Sequence, residues 1–182
     1  MTLLHELKEK FPSEIVPKHM SNGNYLPWVM PIYGQGAELE LMDLLYCFVR
    51  LLRPFSVVDL GSNVGMSAYA LGRGVEENGA GQVVTCDVDE QFVQMTINRV
   101  RDLPVKVCFL SADNLQEVET CDFIFCDSSY ETRIRALERI KKGCVAIVHD
   151  VRQEPSLAEA VLKQPHRVLL TGSWRGIGIV VK

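Results

Sequence analysis

Four acidic residues and one histidine stand at or near the ends of short apolar runs, where buried strands would reach the surface. They are Asp59, Asp87, Asp127, His149 and Asp150. Carboxylates pair with cationic or hydroxyl groups of a ligand, and an imidazole transfers protons near neutral pH. Since the carboxyl ends of parallel strands share one edge of a sheet, these side chains are expected to meet in one ligand-binding cleft.

The segment from Asp59 to Gly65 has the spacing D-x-G-x-x-x-G, with its glycines between an apolar strand and a helix. Gly61 permits a tight turn, and Gly65 permits close approach at the helix start. A dinucleotide-binding loop, G-x-G-x-x-G, would need glycine where Asn63 and Met66 stand. The acid before the loop suits a cation, so the segment favours S-adenosylmethionine, which carries a sulfonium and an ammonium but no phosphate. A tight turn without a ligand is the alternative.

Asp87 ends the next apolar run, V-V-T-C-D. An acid at the end of the second strand of an open α/β sheet can accept hydrogen bonds from both hydroxyl groups of a ribose. Its other interpretation is structural, because Asp favours helix starts and Asp89 follows closely. With the glycine loop upstream, we favour the ribose interpretation.

Asp127, His149 and Asp150 are expected to face the group that reacts with the ligand, and three interpretations stay open. His149 is a general base whose tautomer a carboxylate fixes. Alternatively, Asp127 and Asp150 hold a divalent cation such as Mg²⁺. In the third interpretation, His149 is a buried strand-end residue and Asp150 caps a turn.

The elements that must position these residues alternate between strand and helix. Strands are predicted at 56–60, 82–87, 105–110, 121–127, 144–150, 167–171 and 177–181, and helices at 37–53, 64–77, 90–100, 130–141 and 156–163. Continuous Val, Ile and Leu runs indicate strands covered on both faces. The last two strands are too close in sequence for a parallel crossover. The prediction is an α/β three-layer sandwich: a seven-stranded, mostly parallel sheet with an antiparallel C-terminal hairpin and helices on both faces.

Residues 1–35 have a different composition, with four prolines among aromatic residues, and predict an irregular arm. The arm either packs along the sheet or acts as a lid, and both interpretations stay open. Residues 36–182 form the predicted ligand-binding domain. Aromatic side chains that could wall a pocket for a second substrate are Trp28, Tyr33, Tyr130 and Trp174.

Composition excludes several classes of partner. The 182 residues include 19 Lys and Arg against 23 Asp and Glu, a net charge of −4, so no nucleic-acid partner is expected. The first residues are too charged for a signal peptide, and no run is long enough to cross a membrane, which predicts a cytoplasmic protein. The six cysteines form no C-x-x-C pair and are expected to be buried, reduced thiols. Self-association is left open.

Over residues 36–182 the chain resembles the class I (Rossmann-like) S-adenosylmethionine-dependent methyltransferases, most closely small O-methyltransferase-like members with D-G-x-H-x-Y-E and G-G-x-x-x-x-H-D segments. The counterparts here are D-S-S-Y-E at 127–131 and G-C-V-A-I-V-H-D at 143–150. The family's histidine in the first segment is absent, and Cys144 replaces the second glycine of the other segment.

The resemblance implies methyl transfer from S-adenosylmethionine to a small-molecule acceptor, at oxygen. The cofactor-binding residues it implies are Asp59, Gly61, Ser62, Asn63, Gly65, Asp87, Val88, Ser111, Ala112, Asp113 and Asp127. Asp59, Gly61 and Gly65 would hold the methionine part. Asp87 would hold the ribose, and Asp113 would accept from the adenine amine. The implied catalytic residues are Asp127, His149 and Asp150. A binding module without catalysis is the first alternative, and a dinucleotide-dependent oxidoreductase is the second.

Overall fold

The computed structural model describes Lys10 and residues 39–171 and 175–182. The predicted N-terminal arm lies outside this range except for Lys10. Three of the four predicted pocket aromatics, Trp28, Tyr33 and Trp174, also lie outside it. Residues 36–38 and 172–174 of the predicted domain lie outside it as well, whereas every candidate site residue lies within it.

Seven strands form one sheet in the order β3-β2-β1-β4-β5-β7-β6. In chain order the strands are β1 (Ser56–Leu60), β2 (Gln82–Asp87), β3 (Val105–Phe109), β4 (Phe123–Cys126), β5 (Val145–His149), β6 (His166–Leu170) and β7 (Ile177–Val181). The first five strands are parallel, and β7 pairs antiparallel with both β5 and β6. The predicted mixed sheet with its C-terminal hairpin is confirmed.

The central strands are apolar throughout because both of their faces are covered. Val57 packs into one hydrophobic cluster and its neighbour Val58 into the other, since successive side chains of a strand point to opposite faces. The helices of the first face are α1 (Leu39–Leu52), α2 (Met66–Asn78) and α3 (Glu90–Val100); those of the second are α4 (Tyr130–Arg139) and α5 (Pro155–Leu162). The three-layer architecture is therefore confirmed.

The chain between β3 and β4 differs from the prediction. It forms two short 3-10 helices, Ala112–Asn114 and Gln116–Glu119, where no element was predicted. Both lie against the second face through Ala112, Leu115 and Val118. Their apolar residues are too few for a helical period, which explains why the sequence did not reveal them.

All six cysteines are free thiols, and four of them are buried. Two depart from the expected burial: Cys47 lies on the exposed side of α1, and Cys108 in β3 is only half-buried. Among the described helices, none combines the length and apolar character required to cross a bilayer.

Candidate active site

The parallel strands bring the candidate residues to one edge of the sheet. Asp59 lies in β1, and Asp87 and His149 end β2 and β5. Asp127 directly follows β4, and Asp150 directly follows β5. Since β1 lies between β2 and β4 in the sheet, these residues form a continuous row along its carboxyl ends.

The two glycines of the loop after β1 have packing roles of their own. Gly61 has φ 91°, and a Cβ atom there would lie 2.6 Å from the carbonyl oxygen of Asp127. Gly65 has φ 84°, and its Cβ would lie 2.9 Å from Cα of Thr96. Any other residue would therefore clash with backbone as well as adopt a strained conformation. These contacts alone would also explain the glycines in a tight turn without a ligand.

Hydrogen bonds within the loop fix its path against β2. The amides of Gly61 and Ser62 both donate to the carbonyl of Cys86, each over 3.1 Å. The amide of Asn63 donates to Oδ2 of Asp87 over 2.8 Å, although Asn63 has a positive φ of 45°. The loop and the predicted ribose-binding acid are thus joined directly.

Asp59 is completely buried at the base of this loop. Its Oδ2 accepts hydrogen bonds from Thr85 Oγ1 over 2.7 Å and from Ser67 Oγ over 3.1 Å. Burial raises the pKa of Asp59 to about 7, and the two hydroxyl donors only partly offset this shift. A cation close to Asp59 would favour the ionised carboxylate and lower its pKa.

Three buried polar atoms near the loop have no hydrogen-bond partner within the described residues: Asp59 Oδ1, Ser62 Oγ and Ser128 Oγ. They lie on the carboxyl ends of β1 and β4, and Ser128 Cα is close to the Cβ position of Gly61. A buried polar atom without a partner costs about 1–3 kcal/mol. Such a group of atoms fits a polar ligand, and the ammonium end of S-adenosylmethionine would supply the missing donors.

Asp87 and Asp89 form different hydrogen bonds at the end of β2 and the start of α3. Asp89 Oδ1 caps α3 by accepting from the amide of Gln91 over 2.8 Å. The alternative interpretation of Asp87 was a residue at the start of this helix, and Asp89 is the residue that caps the helix. Each oxygen of Asp87 accepts one backbone hydrogen bond, from Asn63 or from Asp89, and a carboxylate oxygen can accept a second. Val88 beside it is 67% exposed, which leaves an apolar surface next to the carboxylate.

Asp113 has partners that the sequence did not predict. Its carboxylate forms a two-point ion pair with Arg135, over 2.8 Å and 2.6 Å, and accepts a hydrogen bond from Thr132 Oγ1. Arg135 holds the pKa of Asp113 below its usual range. Ser111 Oγ caps the 3-10 turn by accepting from the Asp113 amide, and Ala112 is buried. An adenine amine at this carboxylate would share it with Arg135.

The residues after β4 and β5 form one hydrogen-bonded group. His149 Nδ1 lies 3.1 Å from Asp127 Oδ1 and 3.8 Å from Asp150 Oδ1. The His149 side chain is 0% exposed, whereas that of Asp127 is 16% exposed. Asp127 is thus the more exposed member of the pair. Tyr130 begins α4 close to this group in sequence, and its side chain is exposed.

Two arginines complete this group, and sequence reasoning missed both. Arg133 in α4 pairs with Asp127 and Asp150, and Arg175 before β7 pairs with Asp150. Neither arginine lies in a motif that predicts a role. Only the tertiary structure, which brings α4 and the β6–β7 hairpin to the end of β5, reveals them.

Comparison with known proteins places this arrangement among methyltransferases. Residues 58–151 match the family model described as a methyltransferase domain. A ribosomal protein L11 methyltransferase of Thermotoga petrophila is 35% identical over 88 residues, which are 48% of this chain and 32% of that protein. The homologous protein of Thermotoga maritima is 34% identical over 88 residues. This chain spans about a third of the length of these curated relatives.

Solved methyltransferases share the fold. An O-methyltransferase of Bacillus cereus in complex with SAH has a TM-score of 0.66 and 21% identity, covering 98% of this chain and 90% of that chain. An SAH-bound methyltransferase of Podospora anserina has a TM-score of 0.71 and 13% identity, covering 98% and 86%.

Proposed function

The chain belongs to the methyltransferase domain family, and from that premise we propose that it transfers a methyl group from S-adenosylmethionine to an oxygen of a small-molecule acceptor. The observation that carries the proposal is the buried, unpartnered Oδ1 of Asp59 beside the glycine loop. A ligand ammonium would satisfy this oxygen directly or through one water molecule. A pyrophosphate in the same position would repel the ionised carboxylate.

The cofactor would lie across the carboxyl ends of β1 and β2. The residues that we assign to it are Asp59, Gly61, Ser62, Asn63, Gly65, Asp87, Val88, Ala112, Asp113 and Asp127. The glycine loop would receive the methionine part. Asp87 retains acceptor capacity for the ribose hydroxyl groups, and exposed Val88 offers an apolar surface to the adenine.

When bound, S-adenosylmethionine supplies an electrophilic methyl group, so that a bond from carbon to the acceptor oxygen forms as the bond from carbon to sulfur breaks. The chain must orient the acceptor hydroxyl and remove its proton. Asp127 is the partly exposed member of the group after β4 and β5, so we assign it the contact with the hydroxyl.

The hydroxyl proton goes to the Asp127–His149 pair. His149 is buried directly behind Asp127, and its Nδ1 faces Oδ1 of that residue. Asp150 contacts Arg133 and Arg175, so we assign it a positioning role in place of the catalytic role that the sequence suggested.

A second function, cofactor binding without transfer, is favoured by one observation. Asp127 and Asp150 both form ion pairs with arginine, which leaves less of their charge to act on an acceptor. In this alternative the chain senses S-adenosylmethionine or presents the complex to a partner, and the acceptor side has only a structural role.

Incubation with methyl-labelled S-adenosylmethionine and a metabolite extract separates the two functions. We expect label in a low-molecular-weight product whose methyl group is bonded to oxygen, which the methyl chemical shift in an NMR spectrum of the purified product distinguishes from a methyl group on nitrogen. Asp127→Asn is the matched control, since it keeps the shape of the side chain and removes its charge. Cofactor binding by the wild-type protein without label in any product would instead establish the binding module.

A further inference from the structure

The residues after β4 and β5 have the donor set of a metal site. One ligand atom from each of Asp127, His149 and Asp150 lies within 4.8 Å of the other two, and no other such group occurs in the described part of the chain. Two carboxylates and an imidazole suit a hard divalent cation with water completing its coordination. Donor chemistry alone would therefore predict a metal-dependent acceptor site.

Arg133 fills the space between these carboxylates. Its Nη2 lies 3.2 Å from Asp127 Oδ1, and its Nη1 lies 3.1 Å from Asp150 Oδ2. The same guanidinium donates to the carbonyl oxygens of Ser128, over 2.6 Å, and of His149, over 2.8 Å. Arg133 is only 8% exposed. Because the carbonyls hold it independently of the acids, the guanidinium is a fixed part of the group.

Arg175 is the second arginine that contacts Asp150. Its Nη2 lies 2.9 Å from Asp150 Oδ2, and its Nε contacts Asp150 Oδ1, so the ion pair has two points of contact. The carbonyl of Arg175 accepts from the amide of Arg152 over 3.0 Å, and Gly176 packs closely on that residue. The turn before β7 is thereby fixed against the loop that follows β5.

The charges of this group balance without an ion. Asp127 and Asp150 contribute two negative charges when ionised, and Arg133 and Arg175 contribute two permanent positive charges, since a guanidinium does not lose its proton in proteins. A divalent cation that bound both carboxylates would have to displace the guanidinium groups or lie next to them. Neither is favourable at a site with little water to screen the repulsion. The residues therefore do not fit a resident metal ion.

We propose that Arg133 and Arg175 take the place of a divalent cation, neutralising and orienting Asp127 and Asp150 so that the acceptor side works without metal. The arginines are positioning residues, because they act through the two aspartates. The inference rests on the proposed function only where it assigns this edge of the sheet to the acceptor.

A metal-binding experiment tests this proposal without cofactor or acceptor. The full chain is treated with chelator and titrated with Mn²⁺, and binding is measured from the electron paramagnetic resonance signal of the ion. We expect no specific binding to the wild-type protein at millimolar Mn²⁺. Arg175→Gln exposes Asp150 to solvent ions and should lower the Mn²⁺ dissociation constant about 10-fold or more. Arg175→Lys keeps the positive charge and should bind no better than wild type, which a merely structural role for Arg175 does not predict.

Arg135→Gln is the matched control, because it breaks another two-point pair with an aspartate, Asp113, where the imidazole and second acid are missing. It should gain no affinity for Mn²⁺. Arg133→Gln provides a second route if Arg175→Gln does not fold. Micromolar Mn²⁺ binding by the wild-type protein overturns the proposal, as does a folded glutamine variant that gains no affinity. Either result leaves the proposed methyl transfer untouched, since no cofactor takes part in the experiment.

Discussion

The carboxyl edge of the sheet has two halves that differ in how their buried polar atoms are satisfied. In the cofactor half, formed by β1, β2 and the loops after them, Asp59 Oδ1 and Ser62 Oγ lack a partner among the described residues. In the acceptor half, formed by the ends of β4 and β5, Asp127 and Asp150 each contact at least one guanidinium. The buried carboxylate of the cofactor half therefore lacks a partner for one oxygen, whereas both carboxylates of the acceptor half are paired with arginine. Ser128 Oγ, at the end of β4, is a buried hydroxyl of the acceptor half that also lacks a partner among the described residues.

The difference indicates two ways of preparing a site. Unpartnered buried atoms make the free protein less stable, and a ligand that supplies their donors recovers that free energy on binding. Ion pairs that are already formed in the free protein fix the side chains before the substrate binds, so little reorganisation remains for the reaction. On this interpretation, changes in the cofactor half alter affinity, whereas changes in the acceptor half alter rate.

The largest effect is expected in the acceptor half. His149→Asn removes the imidazole behind Asp127 and should lower kcat about 10²–10⁴-fold, the usual contribution of general acid–base catalysis. Affinity for S-adenosylmethionine should stay unchanged. His166→Asn, on the exposed strand β6, is the control. Steady-state rates and cofactor titrations of both variants check this prediction. If kcat and the affinity for S-adenosylmethionine both fell in His149→Asn, the proposed division between a half that sets affinity and a half that sets rate would be wrong.

Asp87 tests the cofactor half. Asp87→Ala removes the predicted acceptor for ribose and the hydrogen bond to the Asn63 amide. Hydrogen bonds to charged groups contribute about 1.5–3 kcal/mol, so the affinity for S-adenosylmethionine should fall roughly 10–150-fold. Asp89→Ala is the control, because it removes the cap of α3 and should lower stability without changing affinity. Calorimetric titration that finds equal affinities for wild type and Asp87→Ala contradicts the ribose assignment.

Gly61 joins the two halves, because its Cβ position lies against the backbone of Asp127 and Ser128. Gly143 is a matched control: its φ of 87° is close to the 91° of Gly61, but nothing lies within 4 Å of its Cβ position. Both alanine variants bear the cost of a positive φ. Gly61→Ala should lose an additional 1–3 kcal/mol or so from the clash and should also lose cofactor affinity. Chemical denaturation curves measure the stability of both variants. Coinciding curves would show that the loop at Gly61 can move away from the backbone of Asp127 and Ser128 at no cost in stability.

The effect that is smallest per step of the measurement, here one pH unit, concerns the pH dependence of stability. Burial raises the pKa of Asp59 to about 7 in the folded protein, whereas the unfolded chain has an ordinary Asp pKa of about 3.9. Between about pH 4 and pH 7 the folded state therefore holds a proton that the unfolded state has lost. The free energy of unfolding should fall as pH rises through this window, by at most about 1.4 kcal/mol per pH unit.

Asp59→Asn removes this titration, so its stability should depend less steeply on pH than that of the wild-type protein. Saturating S-adenosylmethionine should reduce the wild-type slope, because a nearby cation favours the ionised carboxylate. Denaturation curves across the window, with and without cofactor, measure both slopes. If the free energy of unfolding changed with pH equally in wild type and Asp59→Asn, Asp59 would have the same pKa in the folded and unfolded states.

The sequence predicts the strands, loop and helix of the cofactor half because their signals are local. Strand, glycine loop and helix follow one another from Asp59 to Met66, and Asp87 ends the next strand of the chain. The alternation of strand and helix also predicts the parallel part of the sheet, and the short link between the last two strands predicts the antiparallel hairpin. Local periodicity thus suffices for the fold and for residues fixed by their place at the end of a strand.

The acceptor half could not be predicted in the same way, because its partners come from distant parts of the chain. Arg133 and Arg175 are separated from Asp150 by 17 and 25 residues. Arginines of this kind resemble ordinary exposed helix and turn residues in the sequence. The ion pair of Asp113 with Arg135 was missed for the same reason, since it depends on the packing of α4 against the turn after β3.

Calorimetric titration of the full chain with S-adenosylmethionine, S-adenosylhomocysteine and NAD tests the central claim, that the glycine loop and Asp59 receive a cationic, phosphate-free cofactor. We predict saturable heat with the first two compounds and none with NAD. Titrations near pH 6 in buffers of different ionisation enthalpy should show proton release with S-adenosylmethionine, which Asp59→Asn should lack. Tight binding of NAD, or no heat with S-adenosylmethionine in the folded protein, would contradict the claim.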